Sequence, residues 1–279
     1  MEILTQWETQ NHKKIGNTYK HNIKQYINTA NFDTLNPSYG DIINYITQLR
    51  KSGLSSRNLK NHLCAIKFYY NCLLELGHLQ YHPCKSLLLQ DKTDKSISTE
   101  ILFTSEELNK LLERENKAIP KLQLRNKIIR QLLVYQALTV RELINLELTD
   151  IDLQKCEITI KNNRTLELHP KQILPLQQYI TTDRKMLQNS TKTDFLLLSK
   201  SGNKALTVTI SDAINYKAKK KFTPQKIRQS VIANLLKNGN DLRKVQLFAG
   251  HRYISSTEKY ITSPFTELRS ELEKKHPLS

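Results

Sequence analysis

Residues 223–260 read TPQKIRQSVIANLLKNGNDLRKVQLFAGHRYISSTEKY. Thr223 is a helix cap and Pro224 suits the first helical position, where its missing N–H goes unused. Gly239 ends that helix, Asp241 caps the next, and Gly250 stops this second one. This punctuation predicts two successive helices and puts His251 at a turn instead of on a buried stripe. Tyr260 follows nine residues later on a short polar helix, where Thr257, Glu258 and Lys259 give no reason to bury it. Taken singly, these residues are ordinary: a Gly-His pair is commonly a helix stop, and a single Arg or Tyr is commonly surface or core.

Outward from this stretch the chain is helical on both sides of one interruption. The segment from Leu206 reads as helix, as does a stretch near 173–187, and Phe195–Leu198 reads as a strand. Residues 149–169 switch period: Ile151 and Leu153, Ile158 and Ile160, then Leu166 and Leu168 alternate with polar residues, which predicts short antiparallel strands. The turn Lys161-Asn162-Asn163-Arg164 suits a hairpin, because Asn tolerates the left-handed conformation. Upstream, the domain opens on a capping box, Thr104 to Glu107, and is helical to about Leu148. Residues 83–103 are expected to be a linker, since 90–96 are polar and aperiodic. Residues 1–82 read as a helical bundle. Asn17–Thr29 carries Tyr19, Ile23, Tyr26 and Ile27 at helical spacing. Ser38 caps a helix to about Lys51, and Ser55 or Ser56 starts one with Leu59, Leu63, Ile66, Tyr70 and Leu73 on one stripe. The expected organisation is therefore a mainly α chain with a small antiparallel sheet: domain 1–82, linker 83–103 and domain 104–279.

Across its 279 residues the chain has 43 Lys+Arg against 26 Asp+Glu, a net charge of +17. That excess points to a polyanion. Basic residues spread along the whole chain fit a nucleic acid better than an acidic membrane. No apolar run approaches the ~18 residues of a membrane span, and the N-terminus lacks a signal pattern. The four cysteines form no CxxC pair, which excludes a disulfide scaffold as the main source of stability and points to a cytoplasmic setting.

The joint pattern over 223–260 resembles the tyrosine recombinases, or phage integrase family. The Thr-Pro-x-x-x-Arg start, the run Leu-Leu-x-Asn-Gly-x-Asp-Leu-Arg-x-Val-Gln, the Gly-His and the Tyr nine residues on all match in order. The resemblance implies an N-terminal helical, SAM-like core-binding domain followed by an α+β catalytic domain. It implies Tyr260 as the nucleophile that forms a 3′-phosphotyrosyl bond, Arg228 as a phosphate clamp and His251 as a donor to the same phosphate. It implies Lys161 as the general acid that protonates the leaving oxygen. No metal, nucleotide or other cofactor is implied. The partners implied are double-stranded DNA and further copies of the chain, monomeric in solution and tetrameric on DNA, acting for a mobile or repeated element.

Two positions depart from the pattern. Gln225 replaces the usual His or Lys and cannot be a general base. Thr139 falls where the family has its first arginine, in Gln136-Ala137-Leu138-Thr139-Val140-Arg141-Glu142. Loss of one transition-state donor costs roughly 10²–10³ in rate. Arg164, beside Lys161, and Arg141, two residues along the helix, are the candidate substitutes, with Arg164 preferred. The rival reading is a DNA-binding protein that kept the fold and lost the chemistry; a type IB topoisomerase fits the short chain less well. Over 263–272, Phe265, Leu268 and Leu272 share a helical stripe that packs on its own domain or on a neighbouring protomer. His78, His82 and Cys84 lack a fourth ligand for zinc. Glu106/Glu107 and Asp150/Asp152 read as helix-start and strand-edge charges, and Tyr253 lies too close to His251 to displace Tyr260 as the nucleophile.

Overall fold

The computed structural model describes residues 2–91, 102–114, 120–161, 164–188, 193–216 and 221–261. The chain divides into two compact units, Met1–Asp94 and Lys95–Ser279.

The first unit is built from α1 (Glu2–Asn11), α2 (Asn17–Thr29), α3 (Tyr39–Lys51) and α4 (Ser56–Glu75). Helices α2, α3 and α4 run as the sequence predicts. Ser38 caps α3 in a box with Asp41, Ser55 caps α4, and Gly53 and Gly77 turn the chain with positive φ. The predicted stripe on α4 is buried, and Tyr26, Tyr45 and Tyr70 pack edge-on in the same core. The Tyr26 and Tyr70 hydroxyls are hydrogen bonded to each other. Burial pushes both phenols well above their ordinary pKa.

The first part of the expected linker is not a linker. Cys84 and Leu87 enter the core of the first unit. Asp91 accepts two hydrogen bonds from Arg50 at 2.9 and 3.0 Å, and the Asp91 carbonyl accepts from Lys60. Polar, aperiodic sequence marks absence of a regular element here, not absence of packing. Residues 92–101 lie outside the described residues.

The second unit starts with α5 (Ser105–Leu112), opened by the predicted box in which Thr104 and Glu107 cap each other. Helix α6 (Pro120–Tyr135) is buried on nearly all sides, which explains its weak amphipathic pattern. Its buried Arg125 donates to Leu198 O and its buried Arg130 to Ala213 O of a later helix, so two cations of the sequence count serve backbone carbonyls. After the short α7 (Val140–Asn145) come β1 (Ile151–Asp152), β2 (Glu157–Ile160) and β3 (Arg164–Glu167). They form the expected antiparallel sheet in order β1-β2-β3, with Ile158 opposite Ile151 and Leu166.

Helix α8 (Pro170–Gln178) begins three residues before the expected start and continues through a π turn at Tyr179–Asp183 into α9 (Arg184–Leu187). Pro175 has no N–H for Lys171 O, and Gln131 Nε2 donates to that carbonyl instead. Phe195–Leu198 does not form the expected strand. It makes only isolated bridges, Glu147 to Phe195 and Leu198 to Lys204, because its partner segment turns into a 3₁₀ helix at Leu148. Three leucines in a row are buried there by packing, not by a ladder. The chain ends its described course in α10 (Thr207–Asn215), α11 (Pro224–Lys237), α12 (Leu242–Ala249) and α13 (Ser255–Glu258). Residues 263–272, the expected helical tail, lie outside the described residues.

Candidate active site

Three helix ends build the site. Thr223 caps α11 by accepting from Lys226 N, and Pro224 occupies its first turn, as predicted. That start places Arg228 at the beginning of the second turn, half-buried. Its Nη1 donates to Ala137 O and its Nη2 to Ala249 O. Ala137 has φ 49°, a left-handed conformation unusual for alanine. This turn carries the Ala137 carbonyl that accepts from Arg228, in the chain just after α6.

Helix α12 ends at Gly250, whose φ of 65° makes it a left-handed cap. His251 follows immediately. Its backbone exchanges hydrogen bonds with Gln246, whose side chain donates to His251 O at 3.0 Å. His251 Nδ1 shares a 2.9 Å hydrogen bond with Thr257 Oγ1, which leaves Nε2 as the ring's other polar atom. The imidazole pKa is lowered to about 4, first by burial and then by the positive charges of Arg228, Arg164 and Lys259. The ring is therefore neutral at physiological pH.

Tyr260 lies two residues past α13 and is 8% exposed, contrary to the expectation of a solvent-facing ring. The local sequence gives no reason for burial; the reason is tertiary. The ring packs against Ile232 of α11 and Val245 and Ala249 of α12. It also lies nearly parallel to the His251 ring, 13° apart with centroids 6.2 Å apart. Burial raises the phenol pKa, while the Arg228 charge and a hydrogen bond with Gln229 oppose the rise.

Arg164 joins this group from the start of β3. Its Nη1 donates to Phe248 O and its Nη2 to Glu142 Oε1, each at 2.9 Å. The other Glu142 oxygen accepts from Thr139 N at 2.7 Å, and Thr139 Oγ1 accepts from Glu142 N. Thr139 is thus the N-cap of α7, a role its sequence context announces. Thr-Val-Arg-Glu is the same capping-box pattern as Thr-Ser-Glu-Glu at 104–107. Glu142, Gln229 and Thr257 are site residues that the sequence reading did not single out. Of these only Glu142 had a signal, through that box.

The remaining predicted residues lie apart. Lys161 Nζ pairs with Glu147 Oε1 at 3.2 Å, and the lysine side chain is 66% exposed. Arg141 is exposed in the first turn of α7. Both line a cleft of about 570 Å³ with Thr139, Glu142, Asn145 and Ile160, and Glu142 is also the carboxylate bonded to Arg164. Gln225 is exposed one turn before Arg228 on the same helix face, and Tyr253 is 62% exposed under the Arg252 guanidinium. Asn162 and Asn163 of the hairpin turn lie outside the described residues.

The arrangement is a half-buried cationic pocket holding a phenol and a neutral imidazole. A model of the phage integrase family matches residues 102–267. The chain is 28% identical over 248 residues to the tyrosine recombinase XerD of Listeria innocua serovar 6a, a match spanning 85% of this chain and 82% of that protein. In fold it is similar to the XerH site-specific recombinase bound to palindromic difH substrate, with TM-score 0.69, 21% identity and coverage of 94% and 80% of the two chains. It is also similar to the Tn1549 transposon integrase in complex with transposon right end DNA, with TM-score 0.66, 17% identity and coverage of 98% and 99%. The family match spans most of the unit that holds Tyr260, His251 and Arg228, and the chain therefore belongs to the phage integrase family, the tyrosine recombinases.

Proposed function

We propose that the chain is a site-specific DNA recombinase that cuts and rejoins strands through a phosphotyrosine at Tyr260. The observation that carries this reading is the convergence of Tyr260, His251 and Arg228 from three separate segments into one pocket. In the forward step, Tyr260 Oη bonds to phosphorus and the P–O5′ bond breaks. The phenolic proton passes to solvent water, and the departing 5′ oxygen takes a proton from the Lys161 ammonium. A 5′ hydroxyl of the second duplex then gives its proton to the now neutral Lys161 and bonds to phosphorus; the Tyr260 Oη–P bond breaks, the phenolate takes a proton from water, and the diester is restored. The bond energy is retained in the ester, so the step needs neither nucleotide nor metal.

Arg228 suits the clamp role, because a planar guanidinium grips two phosphate oxygens. His251, held neutral and tied by Thr257, has Nε2 for a third contact. Lys161 is paired with Glu147, and its exposed side chain would exchange that contact for the leaving oxygen. Exchange between two duplexes breaks four strands, and one tyrosine per chain means four chains. That count supports assembly as a tetramer on two DNA sites. The likeness to a transposon integrase supports a role in moving a mobile element.

The test uses a pool of nicked duplexes with a randomised core, in which the cleaved fragment escapes and traps the adduct. A covalent protein–DNA band on a denaturing gel, absent in Tyr260→Phe, is expected. Tight, salt-sensitive binding with no adduct favours a protein that binds DNA without cutting it. Relaxation of supercoiled plasmid without site preference favours a topoisomerase.

A further inference from the structure

We infer that Arg164 supplies a second guanidinium to the phosphate, and that Thr139 and Glu142 are the positioning residues that aim it. This inference rests on the reading of Tyr260 as nucleophile.

The geometry begins at the C-terminus of α12, where successive carbonyls take the two arginines. Phe248 O accepts from Arg164, and Ala249 O accepts from Arg228. The two guanidiniums are therefore neighbours; burial and then the Arg164 charge lower the Arg228 pKa, while Glu142 opposes that fall. Glu142 is the carboxylate that faces them, bonded directly to Arg164. His251 and Tyr260 are neutral at physiological pH, so among the described residues the two guanidiniums and Glu142 together carry one excess positive charge. A phosphodiester brings one negative charge and balances it. A guanidinium has five N–H donors, and among the described residues Arg164 donates to Phe248 and Glu142.

The aiming follows from the helix cap. Thr139 fixes Glu142 by two reciprocal hydrogen bonds, so its free oxygen meets Arg164 from a set direction. Gly250 supplies the room. A Cβ there would stand 2.8 Å from Arg164 Nη1. The residue that stops α12 is thus also the one that lets Arg164 reach the pocket.

The experiment compares the full chain with Arg164→Gln, Arg164→Lys and Thr139→Val, each checked for melting temperature. The substrate is the nicked duplex recovered from the adduct pool. Arg164→Gln retains a donor for Phe248 O and loses the charge; its adduct formation is expected to slow by roughly 10²–10³-fold. Arg164→Lys should recover part of that loss. On a duplex whose scissile phosphate is a neutral methylphosphonate, the gap between parent and Arg164→Gln should close, which a purely structural role would not produce. Parental rates in Arg164→Gln overturn the proposal. Should that variant fail to fold, Thr139→Val decides: it retains Arg164 but frees Glu142, and an unchanged rate contradicts the aiming role. If the parent forms no adduct, the Tyr260 reading fails separately. Arg164 is then judged by binding to the intact duplex, where its loss should lower the log-affinity against log-salt slope by roughly 1, and an unchanged slope overturns it.

Discussion

A methyl group on Gly250 would meet Arg164 at 2.8 Å and would also strain a backbone at φ 65°. Gly250→Ala is therefore expected to destabilise the chain by about 1–2 kcal/mol and to slow adduct formation beyond what that loss explains. Ala137 is the opposite case. It adopts φ 49° with a Cβ present, so Ala137→Gly should be neutral or raise the melting temperature, by up to about 1 kcal/mol of relief. His251 sets a pH dependence. Its folded pKa of about 4 lies below the unfolded value of 6.5, so the unfolded chain takes up the proton first. This group costs no stability above pH 6.5 and progressively more as pH falls toward 4. His251→Gln should flatten the melting temperature over that window, and an unchanged curve would show that the ring is not desolvated. Lys161 is tested by its leaving group. Lys161→Ala should cleave an ordinary duplex slowly but a 5′-phosphorothiolate at nearly the parental rate, because a thiolate departs without a proton. At this scale the sequence announced Arg228, His251 and Tyr260 together, but not that Tyr260 is buried. Ile232, Val245 and Ala249 cover its ring from helices that only the fold brings near.

Helix ends carry most of what was legible at the scale of elements. Ser38, Ser55, Thr104, Thr223 and Asp241 all cap as their sequence context predicts. Each cap is decided by hydrogen bonds within four residues, which is why the sequence shows it. The same local rule was available at Thr139 and reveals its function as a cap. Losing that cap in Thr139→Ala should cost about 1 kcal/mol, read as a lower melting temperature. Elements decided by distant partners were less legible. Phe195–Leu198 has the composition of a strand, yet its ladder stops because the segment opposite curls at Leu148. The start of α8 at Pro170 depends on His169 as cap and on Gln131 from α6 serving Lys171 O.

For the molecule as a whole, the net charge of +17 points to a polyanion, but not every cation faces outward. Arg125, Arg130 and Arg184 are buried and donate to backbone carbonyls. Arg184→Ala should therefore lower the melting temperature while leaving the salt slope of DNA binding unchanged; a shallower slope would place Arg184 on phosphate. The stretch after residue 82 had the composition of a spacer, yet Cys84, Leu87 and Asp91 belong to the first unit. Composition reports where regular structure stops, and apolar singletons such as Leu87 decide where packing stops. The central claim is that one phenolic oxygen forms a covalent bond to DNA. It is tested most directly by trapping the adduct, trimming its DNA with nuclease and sequencing the tryptic peptides by mass spectrometry. A nucleotide carried on Tyr260 is the result this account predicts. A nucleotide on Tyr253 or on any other residue would contradict it.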